Sequence, residues 1–261
     1  MNHTSKLEYD ELGYTIIRNA IDMDLACEVE AHVHWLRKKY PDLRPEHLHH
    51  NLLVDDLFIH RLVGDSRLLN IVEEFLGQNI ALFAAHYIAK PPFTGQAVLW
   101  HQDGTYWPLE PMEVISIWLA ATDSKVENGC MRVIPGTQNK ILLLQDELQK
   151  VSDCKNVLGS GIYPSQINDT DAVDIELNAG DVSLHNPRIV HGSNPNTSDT
   201  WRIGLTIRYI PTSTLVKIEG HRCILLRGES DAKVMNKYEN RPIFNPQKHM
   251  KFNGWEKWSW K

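Results

Sequence analysis

The chain has 261 residues, a net charge of −6 at pH 7 and 42% hydrophobic residues. This length is sufficient for a single domain with a substantial core. A negative net charge provides no overall basic surface for a phosphate backbone, so the composition disfavours nucleic-acid binding and favours a small-molecule ligand. We expect one domain over residues 1–261, with a helical part at about 1–79, a core at about 80–212 and a C-terminal extension at about 213–261.

The cysteine pattern indicates a reducing environment. The four cysteines, Cys27, Cys130, Cys154 and Cys223, are far apart and form no Cys-x-x-Cys pair. This spacing disfavours a disulfide scaffold or a structural zinc ribbon and predicts a cytoplasmic protein. The first residues are charged and no run of about 18 apolar residues occurs, so we predict neither a signal peptide nor a membrane span.

The first third of the chain carries the helical signals. A short strand is expected in GYTIIRNAI, followed by a helix in DLACEVEAHVHWLRKKY, where apolar residues recur at helical spacing. Asp22 or Asp24 can cap that helix, and Pro41 and Pro45 end it. A second helix is predicted in SRLLNIVEEFL, with Ser66 as its N-cap and Gly77 just beyond its end.

From residue 80 onward, short apolar runs are separated by Gly, Pro and Asn. The runs are NIALFAAHYIAKPP, AVLWHQD, EVISIWLAATD, GCMRVIPGT, AVDIELNAGDVSLHNP, RIVHGSNPN and WRIGLTIRYIP. Many short strands of this kind predict a mainly β sandwich or closed barrel rather than alternating β-α units. We expect the insertion KILLLQDELQKVSDCKNVLGSG to be a loop with a helical piece.

A candidate metal site lies in LWHQDGT, where His101 and Asp103 are two residues apart. Taken alone, such a pair is more often a surface turn. On a strand, however, both side chains project from the same face and can reach one metal ion. Two histidines and one carboxylate form the usual site of non-haem iron(II) oxygenases. The third ligand must lie elsewhere, and His185 and His191 are both candidates.

The segment WRIGLTIRY alternates in polarity, which predicts one strand face with Arg202, Gly204, Thr206 and Arg208. An arginine inside a barrel is costly unless an anion meets it. A dicarboxylate co-substrate that binds the iron at one end and Arg202 at the other would remove this cost.

The sequence resembles the phytanoyl-CoA dioxygenase family of Fe(II)- and 2-oxoglutarate-dependent oxygenases. The resemblance covers almost the whole chain, through DELGYTIIRNAI, AKPP, WHQDGTYW, WLAATDSKVENGCMRVIPGTQ, VHGSNPN and WRIGLTIRYIP. It implies a mainly β fold, a cupin-like double-stranded β-helix or jelly roll with flanking N-terminal α-helices. This fold agrees with the strand pattern.

The resemblance also implies a set of site residues. The iron ligands correspond to His101, Asp103 and His191, and the 2-oxoglutarate-binding arginine, eleven residues further on, corresponds to Arg202. His185 precedes a turn signal, Asn-Pro, and lies seventeen residues before Arg202, so His191 is the better ligand. Positions that line the 2-oxoglutarate pocket correspond to His86, Gln102, Trp118, Ser193 and, more loosely, Asn51.

The resemblance implies an enzyme that uses Fe(II), 2-oxoglutarate and O2, with ascorbate as a stimulant. The expected reaction hydroxylates an unactivated carbon of a small molecule and releases succinate and CO2. Relatives that halogenate have a small residue where this chain has Asp103, so its carboxylate favours hydroxylation. Lys90, Arg132 and Arg208 would favour an anionic substrate if they face the interior.

Other functions stay open at this point. The same cofactors also support desaturation, epimerisation or ring closure. A non-catalytic jelly-roll binding protein would carry a degenerate iron site, and a zinc hydrolase would give Arg202 no role. We expect a small-molecule substrate, no nucleic-acid or membrane partner, and a monomer or a homodimer.

Several aromatic residues have two interpretations each. Tyr106 and Trp107 can form a wall of the substrate pocket or belong to the core. Trp255, Trp258 and Trp260 lie in a basic C-terminal stretch, where packing on the core is favoured over a lid above the substrate.

Overall fold

The computed structural model describes residues 3–152 and 156–258. Its α-helices are α1 (His3–Leu12), α2 (Met23–Lys39), α3 (His50–Leu53), α4 (Leu57–Val63) and α5 (Ser66–Leu76). Its strands are β1 (Tyr14–Ile17), β2 (Ile80–Tyr87), β3 (Val98–His101), β4 (Leu109–Glu110), β5 (Ile115–Ala120), β6 (Met131–Ile134), β7 (Gln149–Lys150), β8 (Ser160–Gly161), β9 (Val173–Ile175), β10 (Val182–His185), β11 (Val190–Ser193), β12 (Gly204–Pro211), β13 (Leu215–Val216), β14 (Arg222–Arg227) and β15 (Lys237–Tyr238).

Two sheets form the β core. The larger has seven strands in the order β1-β10-β5-β12-β2-β14-β15, and the smaller has four in the order β3-β11-β6-β9. Neighbouring strands are antiparallel, apart from the parallel pair β14 and β15. The predicted jelly roll with flanking N-terminal helices is therefore confirmed, and strands of both sheets line one interior cavity.

The two faces of the larger sheet have different environments. On β12, Leu205, Ile207 and Tyr209 are buried in the main hydrophobic cluster with residues of the helices. Thr206 and Arg208 project from the opposite face and line the cavity. The alternation predicted for this segment is confirmed, because successive side chains of a strand point to opposite faces.

The helix caps agree with the prediction at one helix and differ at the next. Asp22 accepts a hydrogen bond from the backbone N–H of Leu25 at 2.8 Å and caps α2. The cap of α5 is Asp65, not Ser66, because the extended Asp65 carboxylate accepts from the N–H of Arg67 at 2.9 Å. The prediction of Ser66 was wrong by one residue, since both side chains can accept from the first turn.

The C-terminal extension adds strands to the larger sheet. β14 pairs with β2, and β15 pairs with β14. Trp255 and Trp258 pack against the main hydrophobic cluster, as predicted, whereas Trp260 lies outside the described residues. The division of residues 1–261 into one domain with three parts stays a prediction.

The insertion after β6 contains a single-turn 3-10 helix at Gln145–Glu147 and the short pair β7 and β8. Cys154 lies outside the described residues, and Cys27, Cys130 and Cys223 are free thiols. No helix in the described ranges combines the length and the apolar character that a membrane crossing requires.

Candidate metal and co-substrate site

The three residues predicted as iron ligands come together where two strands pair. His101 ends β3 and lies opposite His191 of β11 in the register of the smaller sheet. Asp103 begins a 3-10 turn, Asp103–Tyr106, directly after β3. All three are buried, and their candidate ligand atoms lie within 4.8 Å of one another. One metal ion can therefore contact all three side chains.

Backbone carbonyls orient both imidazoles. Nδ1 of His101 lies 2.8 Å from the carbonyl oxygen of Leu99, and Nδ1 of His191 lies 3.1 Å from that of Ile189. A carbonyl oxygen only accepts, so each Nδ1 donates and each Nε2 keeps its lone pair. This arrangement fits metal ligation by Nε2, with the other ring nitrogen held by an outer hydrogen bond.

The charge states of the site also fit a metal. Burial by itself would raise the pKa of Asp103, but Arg208 and the contacts with His101 and His185 hold it well below its usual value. Burial, reinforced by the neighbouring His101, holds the pKa of His191 well below its usual value. A carboxylate and a neutral imidazole are the forms that bind metal ions.

His185 lies beside the three residues without joining them. It is 1% exposed, and its Nε2 is 3.7 Å from Oδ2 of Asp103, which is longer than a hydrogen bond. Neither ring nitrogen has a hydrogen-bond partner among the described residues. His185 thus lies outside the group of His101, Asp103 and His191, and His191 as the third iron ligand stays a prediction.

Arg202 is a buried cation next to the cavity. Its two terminal nitrogens each donate to a backbone carbonyl, Gly129 and Ile88, at 2.8 Å, and Nε has no partner among the described residues. Burial lowers its pKa to about 10. Arginine has five N–H groups. Arg202 is therefore partly anchored and retains donors for an anion.

Trp118 lies over this guanidinium. The centre of the Arg202 guanidinium is 5.0 Å from the Trp118 ring, and both residues line the cavity. A side chain at Gly204 would overlap the indole ring. The glycine therefore gives Trp118 the space to stack on Arg202, an arrangement that favours a cation over an aromatic face.

Ser193 also lines the cavity, and a buried lysine stands behind it. Nζ of Lys90 donates to Oγ of Ser193 at 2.7 Å and to the carbonyl oxygen of Asn194. Since Oγ accepts from Lys90, the Ser193 hydroxyl can donate its own hydrogen to an anion in the cavity. Lys90 itself is not among the lining residues.

The other predicted pocket residues are placed differently from one another. His86 lines the cavity, donates through Nε2 to the carbonyl of Glu46 at 2.9 Å, and has its pKa lowered by burial to about 3. Asn51 is exposed on α3 and does not line the cavity, which corrects the loose assignment. The helix α3 turns this side chain to solvent.

Gln102 was also predicted to line the pocket, and the structure places it elsewhere. Its Nε2 donates to the carbonyl of Arg188 at 2.7 Å, and its Oε1 accepts from the N–H of Leu143 at 3.0 Å. The residue stands between His101 and Asp103, so its side chain points away from theirs. Gln102 instead holds two neighbouring loops together.

Sequence reasoning missed part of the cavity wall. Val157 and Leu158, from the insertion, line it, and no motif marked them. Tyr106 and Trp107 also line it, which agrees with the first of their two interpretations. The insertion is held in place by a hydrogen bond of 3.1 Å between the hydroxyls of Tyr106 and Ser160.

Known proteins are similar to this chain in sequence and in fold. The family model for phytanoyl-CoA dioxygenase (PhyH) matches residues 9–204. A phytanoyl-CoA dioxygenase domain-containing protein 1 homolog of Dictyostelium discoideum is 33% identical over 132 residues, which cover 51% of this chain and 47% of that protein. A probable alpha-ketoglutarate-dependent hypophosphite dioxygenase of Stutzerimonas stutzeri is 28% identical over 151 residues, which cover 58% of this chain and 52% of that protein.

The solved apo structure of the non-heme monooxygenase ThoJ has a TM-score of 0.75 and 25% identity to this chain, with coverage of 90% of this chain and 87% of that one. The chain spans about half the length of the curated relatives it matches. Since the family model covers residues 9–204, which include all three members of the metal-binding group, this chain belongs to the phytanoyl-CoA dioxygenase family.

Proposed function

We propose that this protein is an Fe(II)- and 2-oxoglutarate-dependent dioxygenase that hydroxylates an unactivated carbon of a small molecule. The observation that carries the proposal is the convergence of His101, Asp103 and His191 within 4.8 Å, next to a cavity of about 240 Å³ that Arg202 also lines. The name of the Stutzerimonas stutzeri relative, an alpha-ketoglutarate-dependent dioxygenase, supports the same co-substrate.

The chain provides side chains that suit both Fe(II) and 2-oxoglutarate. Nε2 of His101, Nε2 of His191 and the Asp103 carboxylate would hold Fe(II) from one side and leave positions open. Arg202 and the Ser193 hydroxyl would bind the far carboxylate of 2-oxoglutarate. A zinc hydrolase would use the same three ligands but leave the buried guanidinium without an anion.

When bound, iron(II) and 2-oxoglutarate supply the oxidation of a substrate carbon by O2, with succinate and CO2 as products. The protein orients the reactants and excludes water. Trp107, Met131, Val157 and Leu158 give the cavity apolar walls, which hold the reacting groups away from bulk solvent. Desaturation, epimerisation and ring closure use the same cofactors, and the Asp103 carboxylate favours hydroxylation over halogenation.

We further propose that the protein acts on its small-molecule substrate in the cytoplasm, as a monomer or a homodimer. The free thiols of Cys27, Cys130 and Cys223 support a reducing compartment. The net charge of −6 supports a partner other than nucleic acid.

The test measures succinate from 2-oxoglutarate in the presence of Fe(II), ascorbate and air, with and without a pool of small metabolites. We expect succinate from the wild type and none above background from His101→Ala. His34→Ala is the matched control and should leave the rate unchanged, because the His34 side chain is 37% exposed and does not line the cavity. Equal succinate from the wild type and His101→Ala would refute the proposal.

A second measurement separates the two binding roles. Mn(II) replaces Fe(II) without turnover, and calorimetry gives its affinity and that of 2-oxoglutarate. Arg202→Ala should weaken 2-oxoglutarate binding by about 10-fold or more, since hydrogen bonds to charged groups are lost, and leave Mn(II) binding nearly unchanged. An equal loss of both affinities would contradict the role of Arg202.

A further inference from the structure

A second arginine, Arg208, lines the cavity away from Arg202. The two residues are six positions apart on the extended chain, which separates their Cα atoms by about 20 Å. Arg202 pairs through its backbone with Lys90, which donates to Ser193, whereas Arg208 lies beside Asp103. The two guanidiniums therefore serve different ends of the same space.

The contacts of Arg208 leave donor capacity unused. Nε and Nη2 are 3.4 and 3.5 Å from the same oxygen of Asp103, Oδ2. Both distances exceed the roughly 2.7–2.9 Å of a strong charge-assisted hydrogen bond. Nη1 donates to Oγ1 of Thr206 at 3.0 Å, and the guanidinium lies 5.0 Å from the centre of the Trp107 ring. The Arg208 side chain is 13% exposed, and it can reach a ligand in the cavity.

The charges of the cavity point to an anion at Arg208. Its walls carry two guanidiniums, Arg202 and Arg208, and one carboxylate, Asp103. The proposed metal dication and the 2-oxoglutarate dianion cancel each other. Asp103 then balances only one of the two arginines, so the loaded cavity retains one positive charge. A buried positive charge is costly until a negative group meets it.

The other basic residues that the sequence suggested do not provide this charge at the cavity wall. Arg132 donates to Asp174 at 3.0 Å and to Asp169 at 2.9 Å, and it does not line the cavity. Lys90 lies behind Ser193 and donates to its hydroxyl. Arg208 is therefore the inward-facing member of the three.

We propose that Arg208, with Trp107 beneath it, binds the carboxylate of the substrate, which is a small monoanionic organic acid with an apolar body. This inference rests on the proposed function, because the charge balance assumes a bound metal and 2-oxoglutarate. The apolar body packs against Trp107, Val157 and Leu158, which line the same cavity. The substrate carboxylate accepts from the N–H groups of the guanidinium that Asp103 and Thr206 leave free.

The test uses protein loaded with Mn(II) and saturating 2-oxoglutarate in the absence of dioxygen, so that no turnover occurs. Calorimetry compares two acids, hexanoate and phenylacetate, with their neutral amides, hexanamide and phenylacetamide. The wild type should bind at least one acid about 10-fold or more tightly than its amide, as expected for a charge-assisted hydrogen bond. Arg208→Gln should bind the acid and the amide equally.

Two further variants control the result. Arg132→Gln removes an arginine that pairs with Asp169 and Asp174 and does not line the cavity, so this variant should keep the preference for the acid. Trp107→Leu keeps the charge but removes the ring beneath it, so the preference should fall by a smaller factor than in Arg208→Gln. This variant also keeps the proposal testable if Arg208→Gln does not fold, and an unchanged preference in Trp107→Leu would then count against it.

The outcomes separate this inference from the proposed function. If the wild type binds neither Mn(II) nor 2-oxoglutarate, the proposed function fails and the inference fails with it. If both bind, the inference alone is overturned by any of three results: no acid binds the wild type, the amides bind as tightly, or Arg208→Gln keeps the preference. Weaker Mn(II) binding by Arg208→Gln with an intact preference would show that Arg208 only orients Asp103.

Discussion

Two buried histidine–aspartate pairs lie on opposite sides of the larger sheet. His32 Nε2 is 3.4 Å from an oxygen of Asp56 among the helices, and His101 Nε2 is 3.5 Å from an oxygen of Asp103 in the cavity. All four side chains are at most 6% exposed. Burial, residue type and distance thus do not distinguish the two pairs.

The remaining contacts of each pair do distinguish them. In the helical pair, Nδ1 of His32 bonds to the hydroxyl of Tyr87 at 3.0 Å, and Asp56 accepts from the N–H of Ile59 at 3.0 Å as the cap of α4. The pair therefore joins α2, α4 and β2. In the cavity pair, a third donor, His191, converges on the same point. A metal site is therefore indicated by a third ligand atom next to a cavity, and not by a buried histidine–aspartate pair alone.

The largest expected effect is on the helical pair. Asp56→Ala removes the cap of α4 and the partner of a buried histidine, and should lower the free energy of unfolding by about 3–5 kcal/mol. Urea denaturation measures this loss, with Asp55→Ala, an exposed neighbour, as control. A loss no greater than that of Asp55→Ala would show that the pair does not hold the helices.

The pair of His101 and Asp103 should contribute to stability mainly when a metal ion is bound. A protein that binds Mn(II) only in its folded state is stabilised by about 2.7 kcal/mol when the Mn(II) concentration is about 100 times Kd. We expect this increment in the wild type and in Asp56→Ala, and none in His101→Ala. Urea denaturation with and without Mn(II) measures it. An increment that survives in His101→Ala would remove the distinction between the two pairs.

A third buried histidine, outside both pairs, should make stability depend on pH. Nε2 of His50 donates to the carbonyl of Arg222 at 2.8 Å, and burial lowers its pKa from 6.5 to about 4. Between these values the unfolded chain takes up a proton that the folded protein does not, so stability falls as the pH falls from about 6.5 to about 4. The effect is about 2 kcal/mol at pH 5.

Urea denaturation at pH 7 and pH 5 tests this effect. His50→Asn should reduce the difference between the two pH values. His34→Asn, at a histidine of α2 whose side chain is 37% exposed, should leave that difference unchanged. An undiminished difference in His50→Asn would assign the pH dependence to other groups.

The smallest effect on stability is expected from the Tyr87 hydroxyl, which bonds to His32 of the helical pair. Tyr87→Phe removes only the hydroxyl that bonds to His32 and should cost about 1 kcal/mol. The Mn(II) increment should stay the same, because Tyr87 projects toward the helices while its neighbour His86 lines the cavity. A change in that increment would mean that the two sides of the sheet are coupled.

The sequence by itself determined the features that depend on neighbouring residues or on motifs shared with a known family. Alternation in WRIGLTIRY predicted that Thr206 and Arg208 share a face, and the capping pattern predicted that α2 starts at Asp22 or Asp24. The family resemblance predicted the jelly roll and implied that His191 is an iron ligand together with His101 and Asp103. Short-range periodicity and motifs suffice for these features because each depends on residues close in sequence or on a pattern already known.

Only the tertiary structure decided which distant groups meet. It turned Gln102 away from the cavity, placed Asp103 against Arg208 at 3.4 Å, and placed Lys90 behind Ser193. It also gave Asp56 a histidine partner 24 residues away. Such contacts depend on strand register and on the packing of helices against a sheet. The local pattern of side chains does not specify the strand register or the helix packing. The same residue would meet different partners if the register were shifted.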